Sequence, residues 1–147
     1  MFAALLLLAC AGPAPALDGL PPGIDAPTGA AARPTQHGLY RLAWAPAPSP
    51  LPTSALFELE VTLTDADGRP VEDAKVWADA KMPQHGHGMT TKPEPDPGQC
   101  TPDGACRHPG GRYVVRGMKF HRPGDWVMEF EVHGPAGRDF LTTTVRL

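Results

Sequence analysis

The sequence predicts an all-β protein: an immunoglobulin-like antiparallel β-sandwich of about seven strands, preceded by a linker rich in proline and alanine. Two observations support this fold class. Apolar and polar residues alternate with a period of two in several segments, as they do in strands that bury one face. Clusters of Gly, Pro and Asp separate these segments at short intervals, and no segment has the period of a helix.

The first ten residues, MFAALLLLAC, are apolar but too short to cross a bilayer as a helix, which takes about 20 residues. They are typical of a secretion signal. The end of this segment, Leu7 to Cys10, is similar to the bacterial lipobox, in which a peptidase cuts before the cysteine and the thiol carries a lipid. We therefore predict an exported protein that Cys10 anchors to a bacterial membrane, facing the periplasm or the cell exterior. An ordinary cleaved signal peptide is the alternative.

Residues 11–36 form the predicted linker. Pro, Ala and Gly dominate this stretch, so it cannot bury a core and is expected to act as a spacer between the membrane and the domain. The predicted domain covers residues 37–147. It begins with an edge strand in which Tyr40, Leu42 and Trp44 share one face.

The clearest strand pattern in the chain is LFELEVTLT, residues 56–64, which is followed by turn residues at 65–68. A second extended segment, residues 74–81, places Val76, Ala78 and Ala80 on one face and Trp77 on the other. Farther along, residues 112–120 and 126–133 are predicted to form a long hairpin around Pro123-Gly124, and a closing strand ends at Leu147. The residues expected to be buried together include Phe57, Leu59, Val61, Trp126, Met128 and Phe130.

Cys100 and Cys106 lie in a long loop, residues 90–111, and form an even pair once Cys10 is set aside. An exported protein permits disulfides, so we predict that the two are bridged and hold the loop in shape next to the histidine segment described below. The alternative is a zinc site built from both cysteines with His85 and His87. His108, in the same loop, is predicted to be an exposed residue without a ligand role.

The segment MPQHGHGM, residues 82–89, is the candidate metal site. If it is extended, His85, His87 and Met89 leave from the same face, and the intervening glycines allow the three groups to converge. Imidazole binds several transition metals, whereas thioether selects copper, above all Cu(I). Met118 is the predicted donor from outside the segment, and Met82 and His121 are additional candidates. A glycine- and histidine-rich loop that binds nothing remains the alternative.

Charge and composition exclude several classes of function. The chain carries 13 basic and 16 acidic residues, a net charge of −3, without a basic run. This argues against nucleic acid or an anionic membrane surface as a binding partner. The only two serines lie in a proline-rich stretch and no segment supplies a nucleophile with a base, so we predict no enzymatic activity.

The order of these motifs resembles the YtkA-like and FixH-like domains of exported bacterial proteins, over roughly residues 55–147. The resemblance is carried by the segment MPQHGHGM and by a second group of residues: Tyr113, Met118, Phe120, Pro123, Gly124 and Trp126. It implies a β-sandwich, often in lipoprotein form, and a role near copper transport or the assembly of haem-copper oxidases. It also implies His85, His87, Met89 and Met118 as the site residues.

We therefore expect an exported, membrane-anchored copper-binding module that binds, delivers or sequesters Cu(I). Its expected partners are the metal ion and a membrane copper transporter or an oxidase assembly protein. Two alternatives remain open at this stage. One is a non-metallated immunoglobulin-like interaction module on a lipoprotein stalk, and the other is a zinc-binding protein.

Overall fold

A computed structural model describes residues 31–147 of the chain. The predicted signal segment, the lipidation site Cys10 and most of the predicted linker lie outside these residues. Within them the fold consists of strands and two short 3-10 turns, Pro83–His85 and Pro109–Gly111, and no helix is long and apolar enough to cross a membrane. The strands are β1 (Arg33–Pro34), β2 (Tyr40–Ala47), β3 (Phe57–Asp65), β4 (Lys75–Met82), β5 (His87–Gly88), β6 (Glu94–Pro95), β7 (Gln99–Cys100), β8 (Cys106–Arg107), β9 (Arg112–Met118), β10 (Asp125–Gly134) and β11 (Gly137–Arg146).

The strands form two antiparallel sheets that pack face to face. One sheet has the order β1-β2-β3-β9-β6, the other has the order β11-β10-β4-β5, and β7 pairs with β8 in a separate hairpin. Buried side chains from both sheets belong to a single hydrophobic cluster. The predicted all-β antiparallel sandwich is therefore confirmed. Its immunoglobulin-like character stays a prediction.

The core follows directly from the alternation in the sequence. On β3 every second residue from Phe57 to Leu63 is buried, and the opposite face is polar and accessible. Trp44 on one sheet packs against Phe130 on the other, with ring centroids 6.3 Å apart. All six residues predicted to be buried together are at most 3% exposed, so this prediction is confirmed: they are Phe57, Leu59, Val61, Trp126, Met128 and Phe130.

The predicted hairpin between residues 112–120 and 126–133 is wrong. Strand β9 pairs with β3 and β6, whereas β10 pairs with β11 and β4 in the other sheet. The connection between them, residues 119–124, crosses from one layer of the sandwich to the other with Phe120 buried beneath it. Alternation identifies strands that bury one face, but it does not identify the neighbour to which each strand is hydrogen-bonded.

Among the described residues, strand pairing begins at Arg33, earlier than residue 37. Strand β1 pairs with β2, and the Thr35 hydroxyl donates a hydrogen bond of 2.6 Å to the carboxylate of Asp139 on β11. The backbone N–H groups of His37 and Leu39 also donate to Asp139. This buried carboxylate therefore fastens the first residues of the domain to the last strand.

Candidate metal site

The histidine segment is a tight turn between β4 and β5. Pro83 ends β4, and the turn Pro83–His85 closes with the N–H of Gly86 donating to the Met82 carbonyl at 3.1 Å. Gly86 adopts the left-handed conformation with φ of 66°, which glycine allows at little cost. The chain then returns antiparallel, with His87 opposite Met82. Only the part after Gly86 is extended.

The turn brings three histidines from two loops near each other. The rings of His85 and His87 are stacked with centroids 5.7 Å apart, and the ring of His87 lies 5.1 Å from that of His121. His121 belongs to the connection between β9 and β10. Trp126 closes the inner side of this group, since its ring centroid lies 5.2 Å from that of His121. His87 thus stands between the other two imidazoles.

The imidazole of His121 has one nitrogen without a hydrogen-bond partner. Its Nδ1 is buried and contacts no donor or acceptor among residues 31–147. Burial lowers the pKa of His121, and the charges of His87, Arg122 and Lys119 lower it further. The ring is therefore neutral near pH 7 and keeps a lone pair, which is the form that binds a metal.

The methionines divide between this site and the core. Met89 is partly buried, and its sulfur accepts a hydrogen bond of 3.4 Å from the backbone N–H of Lys119, which ties the histidine segment to the loop of His121. Met118 and Met82 have no exposed surface and belong to the core cluster. A role of Met118 and Met82 as metal ligands stays a prediction from the sequence, and their burial in the core makes them less accessible to an ion than Met89.

The loop that carries His121 is held by backbone contacts on several sides. The N–H of Ser54 donates to the Phe120 carbonyl at 2.7 Å, and the Ser54 hydroxyl donates to the His121 carbonyl at 3.1 Å. The indole N–H of Trp126 donates to the Arg122 carbonyl at 3.0 Å. Gly124 and Leu147 exchange two backbone hydrogen bonds. His121 is therefore presented by a fixed loop.

The donor set suits a soft metal ion. Imidazole with thioether suits Cu(I), and a buried ring nitrogen of His121 has no hydrogen-bond partner among residues 31–147. In the described part of the chain, however, no three side chains of His, Cys, Asp or Glu are arranged around one point as metal ligands. His87, His121 and the Met89 sulfur are donors of the type that binds Cu(I), and they lie on the histidine segment and the loop next to it. The His85 side chain is exposed and can turn toward them by rotation about its side-chain bonds.

The cysteine loop lies away from this group. Cys100 and Cys106 are disulfide-bonded, as predicted, and Cys106 lines a cavity of about 350 Å³ beside Trp77 near the start of β4. Trp77 and Met82 are five residues apart on a strand that rises about 3.3 Å per residue, so about 16 Å separates the two places. The structure therefore does not bring the cysteines together with His85 and His87.

The prediction that His108 is exposed is wrong. His108 is only 8% exposed and stacks on Tyr113 with ring centroids 4.0 Å apart. Burial lowers its pKa. A glycine at position 98 leaves room for the ring, because a Cβ there would lie 2.8 Å from the His108 Cε1 atom. The backbone N–H of His108 also donates to the Glu72 carbonyl at 2.8 Å, a contact that its position in a polar loop does not indicate.

The sequence did not predict the pair formed by His37 and Asp139. The His37 Nδ1 lies 2.8 Å from the Asp139 carboxylate, which is fully buried. Burial alone would raise the pKa of Asp139, but hydrogen bonds from Thr35, Phe140 and His37 outweigh it and hold the pKa well below its usual range. The alternation around Asp139 placed it on the core side of β11, which is the one signal that could have identified it.

Comparison of the chain with family models, with curated proteins and with solved structures gives no match.

Proposed function

We propose that this chain is an exported copper-binding module that holds one Cu(I) ion between the His87 segment and the His121 loop. His87, His121 and the thioether of Met89 are the proposed ligands, and His85 is a fourth donor. The bound ion supplies no catalysis here; it is the cargo that is delivered or sequestered. We also propose that the chain is related to the YtkA-like and FixH-like domains.

The observation that carries this proposal is the position of His87. Its ring lies 5.7 Å from His85 and 5.1 Å from His121, which come from different loops. Burying the unpaired ring nitrogen of His121 costs free energy, since a buried polar atom without a partner is destabilising by about 1 to 3 kcal/mol. A metal ion that accepts this lone pair removes the cost.

The fold lowers the ordering cost of such a site. An isolated flexible loop loses much conformational entropy when it closes around an ion. Here the turn at Gly86 is closed on Met82, and the Met89 sulfur is already hydrogen-bonded to the His121 loop. The remaining adjustment is rotation of side chains, which is a smaller cost.

Membrane attachment through a lipid on Cys10 and export of the domain complete the proposed role. A lipid on the N-terminal side, with a proline-rich spacer, would keep the domain near membrane proteins that receive or supply copper. A Cys10→Ser variant is then expected to leave the membrane fraction, while mass spectrometry of the wild-type protein should detect a diacylglycerol on Cys10.

One observation favours the second candidate, a sandwich that binds a partner without a metal. No group of three metal-capable His, Cys, Asp or Glu side chains is arranged as ligands within residues 31–147. Metal analysis of exported, purified protein separates the two candidates. We expect one copper per chain and less than about a tenth of that amount of zinc, and copper bound in no fixed ratio would favour the interaction module.

A further inference from the structure

We propose that the end of the sandwich around His87 and Met89 is a docking surface for an acidic protein that exchanges the metal ion with this site. This inference rests on the copper function proposed above. The surface is formed by Leu56, Lys119 and Arg122, which we call the rim.

The rim has two positive charges that the domain does not neutralise. Neither Lys119 nor Arg122 forms an ion pair within residues 31–147. Two acidic residues near the rim in the chain are already paired. Asp125, three residues after Arg122, accepts two hydrogen bonds from Arg146, and Glu58, two residues after Leu56, accepts one from Arg116. The positive charge of the rim is therefore available to a partner.

The rim also has an exposed apolar side chain. Leu56 is 63% exposed, and no other large hydrophobic side chain among the described residues is exposed. Pairing of Phe57 with Met118 brings Leu56 and Lys119 to the same end of strands β3 and β9. Lys119 in turn contacts the Met89 sulfur through its backbone N–H. Leu56, Lys119 and the proposed ligand Met89 therefore follow one another along this end of the sandwich.

This combination fits a protein with an acidic face. An exposed leucine beside charged residues is typical of a small interface with an apolar centre and a polar edge. Two unpaired cations next to the site attract an anionic partner, raise the rate of encounter and disfavour basic proteins. A small anion would use the charges but would gain little from Leu56.

Two chelators with the same Cu(I)-binding phenanthroline core test the charge of the rim. Bathocuproine disulfonate is anionic and neocuproine is neutral. From the Cu(I)-loaded wild-type chain, transfer to the anionic chelator is expected to slow as salt rises, because the screening length falls from about 30 Å at 0.01 M to about 8 Å at 0.15 M. Lys119→Gln with Arg122→Gln should slow that transfer at low salt by at least about threefold and change transfer to the neutral neocuproine much less.

The matched control is Lys75→Gln with Arg107→Gln, which removes the same charge near the disulfide hairpin. We expect it to behave as the wild-type chain does. Equal slowing by the control, or equal effects with both chelators, would overturn the docking surface. A chain that takes up no Cu(I) at all would instead overturn the proposed function, and the docking surface with it.

A protein partner is tested with immobilised, copper-loaded chain and an extract of the cell envelope. We expect an acidic protein that is retained by the wild-type chain and by the control, and is lost with Leu56→Asp or with the rim charge variant. Once purified, it should take Cu(I) from the wild-type chain faster than from Leu56→Asp, whose Cu(I) affinity is unchanged. Equal retention by the wild-type chain and by Leu56→Asp would contradict the proposal, and so would a retained protein that accepts no copper.

Discussion

At the scale of single residues, the proposed site depends on donors that are already positioned but not fully satisfied. His121 has a buried ring nitrogen with no partner in the part of the chain that the structure describes, and its lowered pKa keeps the ring neutral near pH 7. Met89 accepts one hydrogen bond from Lys119, which orients its sulfur and leaves a lone pair free. His121 belongs to the loop connecting β9 and β10, and Met89 is hydrogen-bonded to Lys119 of the same loop, so this loop joins the two parts of the site.

The two sulfurs near the site can be distinguished by the same conservative substitution. Met89→Leu is expected to weaken Cu(I) binding by at least about tenfold, the lower end of the losses seen when metal sites are perturbed. Met118→Leu should change the affinity by less than about twofold, because Met118 has no exposed surface. Both changes conserve volume and should alter the stability of the metal-free chain by less than about 1.5 kcal/mol.

Chelator competition measures the affinity, and urea denaturation measures the stability. An equal loss of affinity with Met118→Leu would show that the core sulfur is a ligand, as the sequence and the family resemblance predict. No loss with Met89→Leu would remove the thioether from the proposed site.

Asp139 is expected to make stability depend on pH. Because folding lowers its pKa below the usual value of about 3.9, the carboxylate stabilises the folded chain above about pH 4, and this contribution is lost as the pH falls toward the folded pKa. Asp139→Asn should lower the free energy of unfolding at pH 7 by about 1 to 3 kcal/mol, and the difference from the wild-type chain should narrow at pH 3.

Urea denaturation at the two pH values measures this difference. Asp67→Asn is the matched control, since Asp67 lies in an exposed turn and should have little effect at either pH. A loss of stability that is the same at pH 3 and at pH 7 would mean that the Asp139 charge does not contribute.

At the scale of strands and loops, the metal site and the disulfide hairpin occupy opposite ends of β4. Cys106 lies in the cavity beside Trp77, while His87 pairs with Met82 at the other end of the strand. The disulfide closes a short loop, and His108, two residues after Cys106, stacks on Tyr113. The hairpin therefore shapes the cavity near the start of β4 and not the histidine site.

Removing the disulfide is expected to leave copper binding intact. Cys100→Ser with Cys106→Ser should lower the free energy of unfolding by about 2 kcal/mol, because closing so short a loop removes little entropy from the unfolded chain. The Cu(I) affinity should stay within about twofold of wild type. Intact mass without reductant checks that the wild-type chain is two hydrogens lighter than its reduced form, and a large loss of Cu(I) affinity would place the cysteines in the site after all.

The individual strands could be predicted from the sequence because each buries one face, as β3 does from Phe57 to Leu63. The partner of each strand could not be predicted: the pattern predicts a hairpin of β9 and β10, whereas β9 pairs with β3 and β10 pairs with β11. At the site, the spacing of two residues predicts that His87 and Met89 share one face, but it does not indicate the turn at His85. His121 lies beside His87 because residues 119–124 cross from one sheet to the other, and the alternation of apolar and polar residues does not indicate such a connection.

At the scale of the whole molecule, the sandwich presents the site and the rim at one end of the two sheets. The histidine turn extends from the sheet of β4, and the His121 loop joins the two sheets. Asp139 fastens the first residues of the domain to β11. A rigid body of this kind can hold loop ligands in place without help from a larger core, which suits a small domain that carries a metal and passes it on.

Competition titration with a Cu(I) chelator tests the central claim most directly. The wild-type chain is predicted to bind one Cu(I), His85→Ala with His87→Ala is predicted to bind none, and His133→Ala, an exposed histidine paired with Glu131, should behave as the wild-type chain does. Cu(I) affinity that is unchanged in the double histidine variant would contradict the account and remove copper from the function of this protein.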